Sequence, residues 1–326
     1  MIRYLIRRAL FLIMVLWIVS LLTFLIFYKL PAGDPARRFA GAGAHNVTPE
    51  AIEAVRHALG LDKPWYVQYG RFAKGLVPLP GWFLNEDAYY SYVGYIPVKE
   101  EIFKRLPVSA MLALGSAVLW VLLGIPIGVI SAIKRRSLAD RAAMIFALFG
   151  VSAPVFWLGY VFLYVFWYRL RWAPPSGFDF GDTVVQSALK GKFILPWIAL
   201  CLAFAAFYAR MVRGNLLETM GEDYIRTARA KGLPESRVIF KHGLRSALTP
   251  VVTMFGMDLG VLLGGAVITE TVFNLPGIGQ YTIRAISNSD YPAVMGVTVF
   301  AAMFVVVANL VVDVTYAFLD PRVRYT

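Results

Sequence analysis

The chain has 326 residues, 59% of them hydrophobic and 16% charged, with a mean hydropathy of +0.63, against roughly 45–50% apolar and 25% charged in globular domains. That balance excludes a disordered chain, a fibrous repeat and an ordinary cytosolic enzyme, and the single cysteine, Cys201, excludes disulfide scaffolds, CxxC redox sites and cysteine-rich metal sites. The 32 Lys and Arg exceed the 20 Asp and Glu by 12; basic charge alone suggests nucleic acid, but in so apolar a chain it marks the inner face of a membrane.

A bilayer core needs roughly 20 apolar residues in a helix. The first charge-free run, 9–28, is 20 residues long. It follows Arg3, Arg7 and Arg8, as a signal peptide would, but it exceeds the usual apolar region and Lys29-Leu30-Pro31 replaces a small-residue cleavage site. It reads as an uncleaved helix. The next segment, 29–107, is long enough for its own structure. Thr48-Pro49-Glu50 is a helix start, with a capping hydroxyl, proline at the first position and then an acid. Ile52, Val55 and Leu59 share a face, and Gly60 can end the helix. Trp65, Tyr66 and Tyr69 follow and suit a lipid surface. The segment reads as a helical cap on the bundle, as a docking surface for an external partner, or as both.

Five more runs follow: 108–133, 142–168, 193–209, 246–269 (interrupted once by Asp258) and 291–312. The expected fold class is therefore all-α integral membrane with six transmembrane helices. With the N-terminus inside, the inner segments 1–8, 134–141, 210–245 and 320–326 hold 17 Lys and Arg, and the short outer segments 169–192 and 270–290 hold 5. The positive-inside rule then places both termini in the cytoplasm. Trp167, Tyr168, Trp172 and Trp197 gather near the outer interface. Pro126, Pro154, Pro196 and Pro250 lie in or at the edge of helices, where each removes a donor and can kink the chain. Gly264-Gly265 sits inside a span and suits close helix packing.

The inner segment 210–245 carries eight Lys or Arg and four Asp or Glu. Glu222-Asp223 stands at a helix start, where the dipole favours acids. Tyr224, Ile225 and Ala228 are expected on one face; Gly232 breaks the helix and Leu233-Pro234-Glu235 starts another. Charge alone fits a solvated basic loop, whereas the two-faced helix and central glycine suit a helix held against another protein. Two acids fall near the spans. Asp258 lies roughly 18 Å along its helix from Ser246, near mid-membrane, where it either lines a pathway and meets a substrate cation or pairs with a neighbouring polar group. Glu270, near the outer end, is a second pathway candidate with the same structural alternative. Asp313 and Asp320, near the inner end, are expected to pair with arginines. His45, His57 and His242 lack ligand spacing, so no metal site is expected.

At these residues the sequence resembles the permease subunits of ABC-type importers, in the dipeptide/oligopeptide/nickel branch. Leu30-Pro31-Ala32-Gly33-Asp34-Pro35 after Arg7-Arg8 resembles the N-terminal signature of that branch, and Leu59-Gly60-Leu61-Asp62-Lys63-Pro64 with Gln68-Tyr69 its outer-loop signature. Asp223-Tyr224-Ile225-Arg226-Thr227-Ala228-Arg229-Ala230-Lys231-Gly232-Leu233 is similar to the cytoplasmic coupling segment. Val272-Phe273-Asn274-Leu275-Pro276-Gly277-Ile278-Gly279 and Asp320-Pro321-Arg322-Val323-Arg324 resemble C-terminal signatures. The sequence departs from the general pattern at Arg226-Thr227-Ala228, where many permeases have Glu-Ala-Ala, and in an aromatic-rich insertion at 78–98.

The resemblance implies a type I ABC importer permease fold, multi-pass in the inner membrane of a prokaryote, with an N-terminal helix (1–28), an outer region (29–107) and a core permease domain (108–326). It implies a second homologous permease, two cytoplasmic ATPase subunits, an extracytoplasmic solute-binding protein and a short-peptide substrate. Asp223, Tyr224, Arg226, Thr227, Ala228, Lys231, Gly232 and Leu233 fall in the segment that meets the ATPase. No GxxxxGK[ST] motif occurs, so this chain is expected to be no enzyme and to hold no cofactor, ATP being bound by the partners. A stand-alone secondary transporter or channel is the competing reading; it predicts matched halves, and 1–168 shows no similarity to 169–326. A membrane enzyme needs clustered His, Cys or acids at one depth, and none appear.

Overall fold

The computed structural model describes residues 2–29, 36–37, 48–58, 60–86, 89–93, 96–179 and 181–319. Leu59, the signatures at 30–35 and 320–324, and the pairing expected of Asp313 and Asp320 fall outside what is described. Regular structure among the described residues is helical, with one antiparallel bridge between Tyr90 and Pro97. In chain order the helices are α1 (Ile2–Phe24), α2 (Pro49–Ala58), α3 (Trp65–Lys74), α4 (Val98–Ile133), α5 (Leu138–Ser152), α6 (Val155–Phe162), α7 (Val184–Leu189), α8 (Ile194–Thr219), α9 (Asp223–Ala230), α10 (Glu235–Arg237), α11 (Leu244–Ala247), α12 (Thr249–Leu263), α13 (Val267–Val272), α14 (Ile278–Ser287) and α15 (Tyr291–Leu319). Leu25–Lys29, Leu163–Arg169 and Val238–Gly243 are π-helical stretches.

Among the described residues, four helical stretches are long and apolar enough to cross a membrane: Ile6–Phe27, Val98–Ile133, Ile194–Thr219 and Tyr291–Val312. Two bent pairs, Leu138–Ser152 with Val155–Arg169 and Glu235–Ala247 with Thr249–Leu263, make six if each is one span. Lipid offers backbone groups no partner, so helices are the expected solution for so apolar a chain. The runs expected at 142–168 and 246–269 are not single helices. The first bends by 100° at Ala153-Pro154, where proline cannot donate and disfavours helical geometry in the residue before it. The second pair bends by 46° at Leu248, and the span ends at Gly264-Gly265, where Gly265 takes a φ of +121° that side chains rarely adopt. Pro107 and Pro126, by contrast, lie inside an unbroken α4.

α8 is the central element of the core. It runs ten residues past the apolar stretch expected to end at 209. Gly124 and Gly128 of α4 press on Ala205, Tyr208, Ala209 and Val212 of α8, and Gly150 of α5 presses on Leu202 and Ala206. Trp120 is fully buried and stacks on Phe204 at 4.6 Å, beside Phe255 and Tyr208. Trp197, expected at the lipid interface, instead turns inward and donates to the Met111 carbonyl at 3.0 Å; Trp172 is 75% exposed.

The described residues of 48–97 pack against one end of the bundle. The Thr48 hydroxyl accepts from Ala51 N–H at 3.3 Å, and Gly60 turns the chain with a φ of +64°. Tyr69 and Ser20 share a hydrogen bond of 2.8 Å, and Phe24 packs on Tyr69 and Phe72, so α3 sits on the end of α1. The insertion ties this cap to the last span. Tyr89 stacks on Phe72 and donates to its carbonyl; Ser91 Oγ and Tyr92 N–H donate to Asp290, just before α15.

α12 packs on α15 along Gly256, Gly260 and Gly264, which face Val312, Ala308 and Ala301. A Cβ at Gly260 falls 2.5 Å from that of Ala308. Gly260→Val is therefore expected to lower the thermal stability of the purified protein by about 1–3 kcal/mol. Gly214→Ala, with nothing within 4 Å, is expected to melt at or slightly above wild type; wild-type melting of Gly260→Val contradicts the packing.

Candidate functional site

The segment after α8 folds as a two-faced helix and a turn. Glu222 leads into α9 with extended backbone, and Asp223 opens the first turn. Ile225 and Ala228 are buried against Val238, Met220 and Leu233. Tyr224 does not join that face: it is 45% exposed, because each helical residue is rotated by about 100° from the one before. The outward side carries Asp223, Tyr224, Arg226 and Thr227, with Lys231 and Gly232 exposed beyond the helix end and Leu233 half-buried. Thr227 Oγ1 donates to the Asp223 carbonyl at 3.0 Å and Arg226 pairs loosely with Asp223 at 3.2 Å.

Gly232 reverses the chain with a φ of +75°, and open space surrounds it, so the backbone conformation is what requires glycine there. Arg229 then grips Glu235 with two hydrogen bonds, 2.7 and 3.1 Å, across the turn. Such a bidentate pair fixes orientation as well as distance. The π-helical stretch 238–243 packs back on α8: Gly243 lies against Met220 and Leu216, and Asn215 Nδ2 donates to the Ala247 carbonyl at 3.2 Å. The end of α8, all of α9 and the stretch 235–247 thus form one packed unit.

The two acids differ in setting. Asp258 lies on α12, half-buried, and accepts from Tyr208 Oη at 2.7 Å; among the described residues Tyr208 is its one hydrogen-bond partner. Glu270, on α13, is wholly buried. One oxygen accepts from Ser109 Oγ at 2.7 Å and Ala266 N–H at 3.2 Å, the other from Gln280 N–H at 2.9 Å. Ser109 Oγ in turn accepts from Ile278 N–H at 2.9 Å, and Gly277 and Gly279 lie against the carboxylate with no room for a Cβ. Glu270 therefore satisfies the free donors at the start of α14 and ties α4, α13 and α14 together. Neither Ser109 nor Tyr208 was singled out by the sequence, where each is one hydroxyl among apolar residues.

Glu270→Ala strands these donors in an apolar site. The expected cost is about 3 kcal/mol or more, read as a lower melting temperature and less inserted protein. Wild-type melting in that variant contradicts the node.

The comparisons fall on this geometry. The family model described as the binding-protein-dependent transport system inner membrane component matches residues 124–325, and the model for the N-terminal part of such membrane components matches residues 1–113. The glutathione transport system permease protein GsiC of Escherichia coli K12 is 40% identical over 325 residues, covering 100% of both chains. GsiC of Shigella dysenteriae serotype 1 is equally similar over the same lengths. A chain of the inward-facing MetNI methionine ABC transporter superposes with a TM-score of 0.53 at 20% identity, covering 69% of this chain and 98% of that one; this likeness bears on the fold, a type I ABC importer permease fold. With four to six apolar spans among the described residues, these matches show that the chain is a multi-pass membrane protein belonging to the family of binding-protein-dependent transport system inner membrane components, the permease subunits of ABC importers.

Proposed function

We propose that this permease forms half of a translocation pathway for short peptides or peptide-like solutes, glutathione first among them because its 40% identical relatives are named for that solute. A second homologous permease supplies the other half. Two ATPase subunits dock on the cytoplasmic side, and an extracytoplasmic binding protein delivers the solute. The 17-to-5 distribution of basic residues supports cytoplasmic termini.

The observation that carries this reading is the two-faced α9. Its apolar side is anchored on Val238, Met220 and Leu233, and its polar side is free. A partner that grips the free side at Asp223, Tyr224, Arg226, Thr227 and Lys231 moves the whole packed unit. That unit is continuous with α8 on one side and α12 on the other, so its displacement tilts both spans. The outcome is an exchange between inward-open and outward-open states. Asp258, half-buried beside Tyr208, offers a negative charge to a peptide amine within the span.

In proteoliposomes holding the full importer, uptake of labelled glutathione or dipeptides is expected to require both ATP and the binding protein. Uptake of neither class, with ATP-driven uptake of a sugar or nickel chelate, overturns the substrate reading. Gly232→Pro, or charge reversal at both Asp223 and Arg226, is expected to leave the protein inserted and ATP hydrolysis running while uptake is lost. Wild-type uptake in those variants refutes the role of the segment. Asp258→Asn is expected to slow uptake of solutes with a free amine more than of acylated ones; equal rates for both, unchanged from wild type, contradict its place in the pathway.

A further inference from the structure

Asp140 and Arg213 take no part in the reading above, yet among the described residues they form the most heavily bonded ion pair at the basic end of the bundle. Asp140 opens α5 and is 4% exposed. Its carboxylate accepts four hydrogen bonds. Ser131 Oγ, at the end of α4, donates at 2.5 Å, and Arg136 N–H, in the connecting turn, at 2.8 Å. Arg213 of α8 donates through Nε at 2.7 Å and Nη2 at 3.0 Å. Arg136 holds a left-handed φ of 64°, unfavourable for a residue with a side chain, and Asp140 is the acceptor that meets its N–H. Ser137 caps α5 by accepting from Asp140 N–H at 3.3 Å. One carboxylate thus organises the turn between α4 and α5, and then binds α8.

Stability alone is a poor reason for such a pair, because a buried ion pair can often be replaced by packed apolar residues without loss; fixing register is its best-attested use. The surrounding interface makes that use meaningful. Gly124, Gly128 and Gly150 meet α8 through apolar close approach, which resists rotation and sliding only through packing. Arg213 lies about 9 Å along the helix from Thr219, directly before the packed unit that carries residues 223–233.

We propose that Asp140 and Arg213 are positioning residues for transport. The pair pins α8 to the α4–α5 turn, so that displacement of the 223–233 segment carries α4 and α5 with α8 instead of letting α8 slip along them. The proposal rests on the coupling role proposed for that segment.

The test measures ATP hydrolysis and solute uptake in the same proteoliposomes, holding the full importer with Asp140→Asn, Arg213→Lys or the double variant Asp140→Asn/Arg213→Gln. Hydrolysis is expected to persist while uptake per ATP falls about fivefold or more. Arg213→Lys keeps the charge but loses the two-pronged geometry, so it is expected to lose coupling as well. The double variant is expected to be no worse than the more severe single one, as for residues acting as one unit. Wild-type uptake per ATP in the single variants, with only a lower melting temperature, overturns the pin and leaves a structural pair. If Asp140→Asn fails to insert, Arg213→Lys decides alone. A wild-type importer whose uptake is independent of ATP overturns the coupling reading itself, and is recognised before any substitution is made.

Discussion

The structure depends on how closely α8 approaches α4 and α5. Three glycines, Gly124, Gly128 and Gly150, leave no space between backbones where any other residue would place a Cβ against Ala205, Ala209 or Leu202. Between apolar helices in lipid, burial from water supplies no drive to associate, so contact at this range is the main source of cohesion. The same helix continues beyond the apolar region into the unit that carries α9. A displacement of α9 is therefore applied to the most tightly packed helix in the chain, and a packed core responds by moving as a body and not by yielding locally.

Ionic groups set the ends of this body. Charge within or near lipid is costly unless paired, and the three acids Asp140, Asp258 and Glu270 each have a partner. They differ in how fully they are satisfied. Glu270 joins α4, α13 and α14 at one end, and Asp140 joins α4, α5 and α8 at the other. Asp258, bonded among the described residues to Tyr208 alone, retains capacity for a further donor. That contrast distinguishes two acids that the sequence offered equally as pathway candidates.

Much of this was legible in the sequence because it is local or periodic. Charge-free runs located four unbroken spans and two bent pairs, Thr48 and Gly60 bracketed α2, and Glu222 and Gly232 bracketed α9, since caps and left-handed turns depend on neighbouring residues. The resemblance reached the same family as the comparisons. What was hidden depends on distant parts of the chain. Glu270 finds its hydroxyl donor 161 positions away, and Arg213 finds Asp140 73 positions away. The chain bends by 100° at Pro154 but continues as one helix through Pro126, and a proline alone does not say which. Tyr224 was expected on one face with Ile225 and Ala228, but only those two are buried, because a helix turns by about 100° per residue. The aromatic insertion at 78–98 had no periodicity to interpret; its role as a strap from Phe72 to Asp290 emerges only from contacts.

The most direct measurement is a cross-link from the free face of α9. Cys201 is the only cysteine of the chain, so Arg226→Cys in a Cys201→Ser background places one reactive thiol on that face. With a short bifunctional reagent on the assembled importer, the account predicts an adduct between this chain and the ATPase subunit, weakened when the turn after α9 is disrupted by Gly232→Pro. An importer that transports with ATP yet gives no adduct from position 226, and gives one from the opposite end of the bundle, contradicts the account.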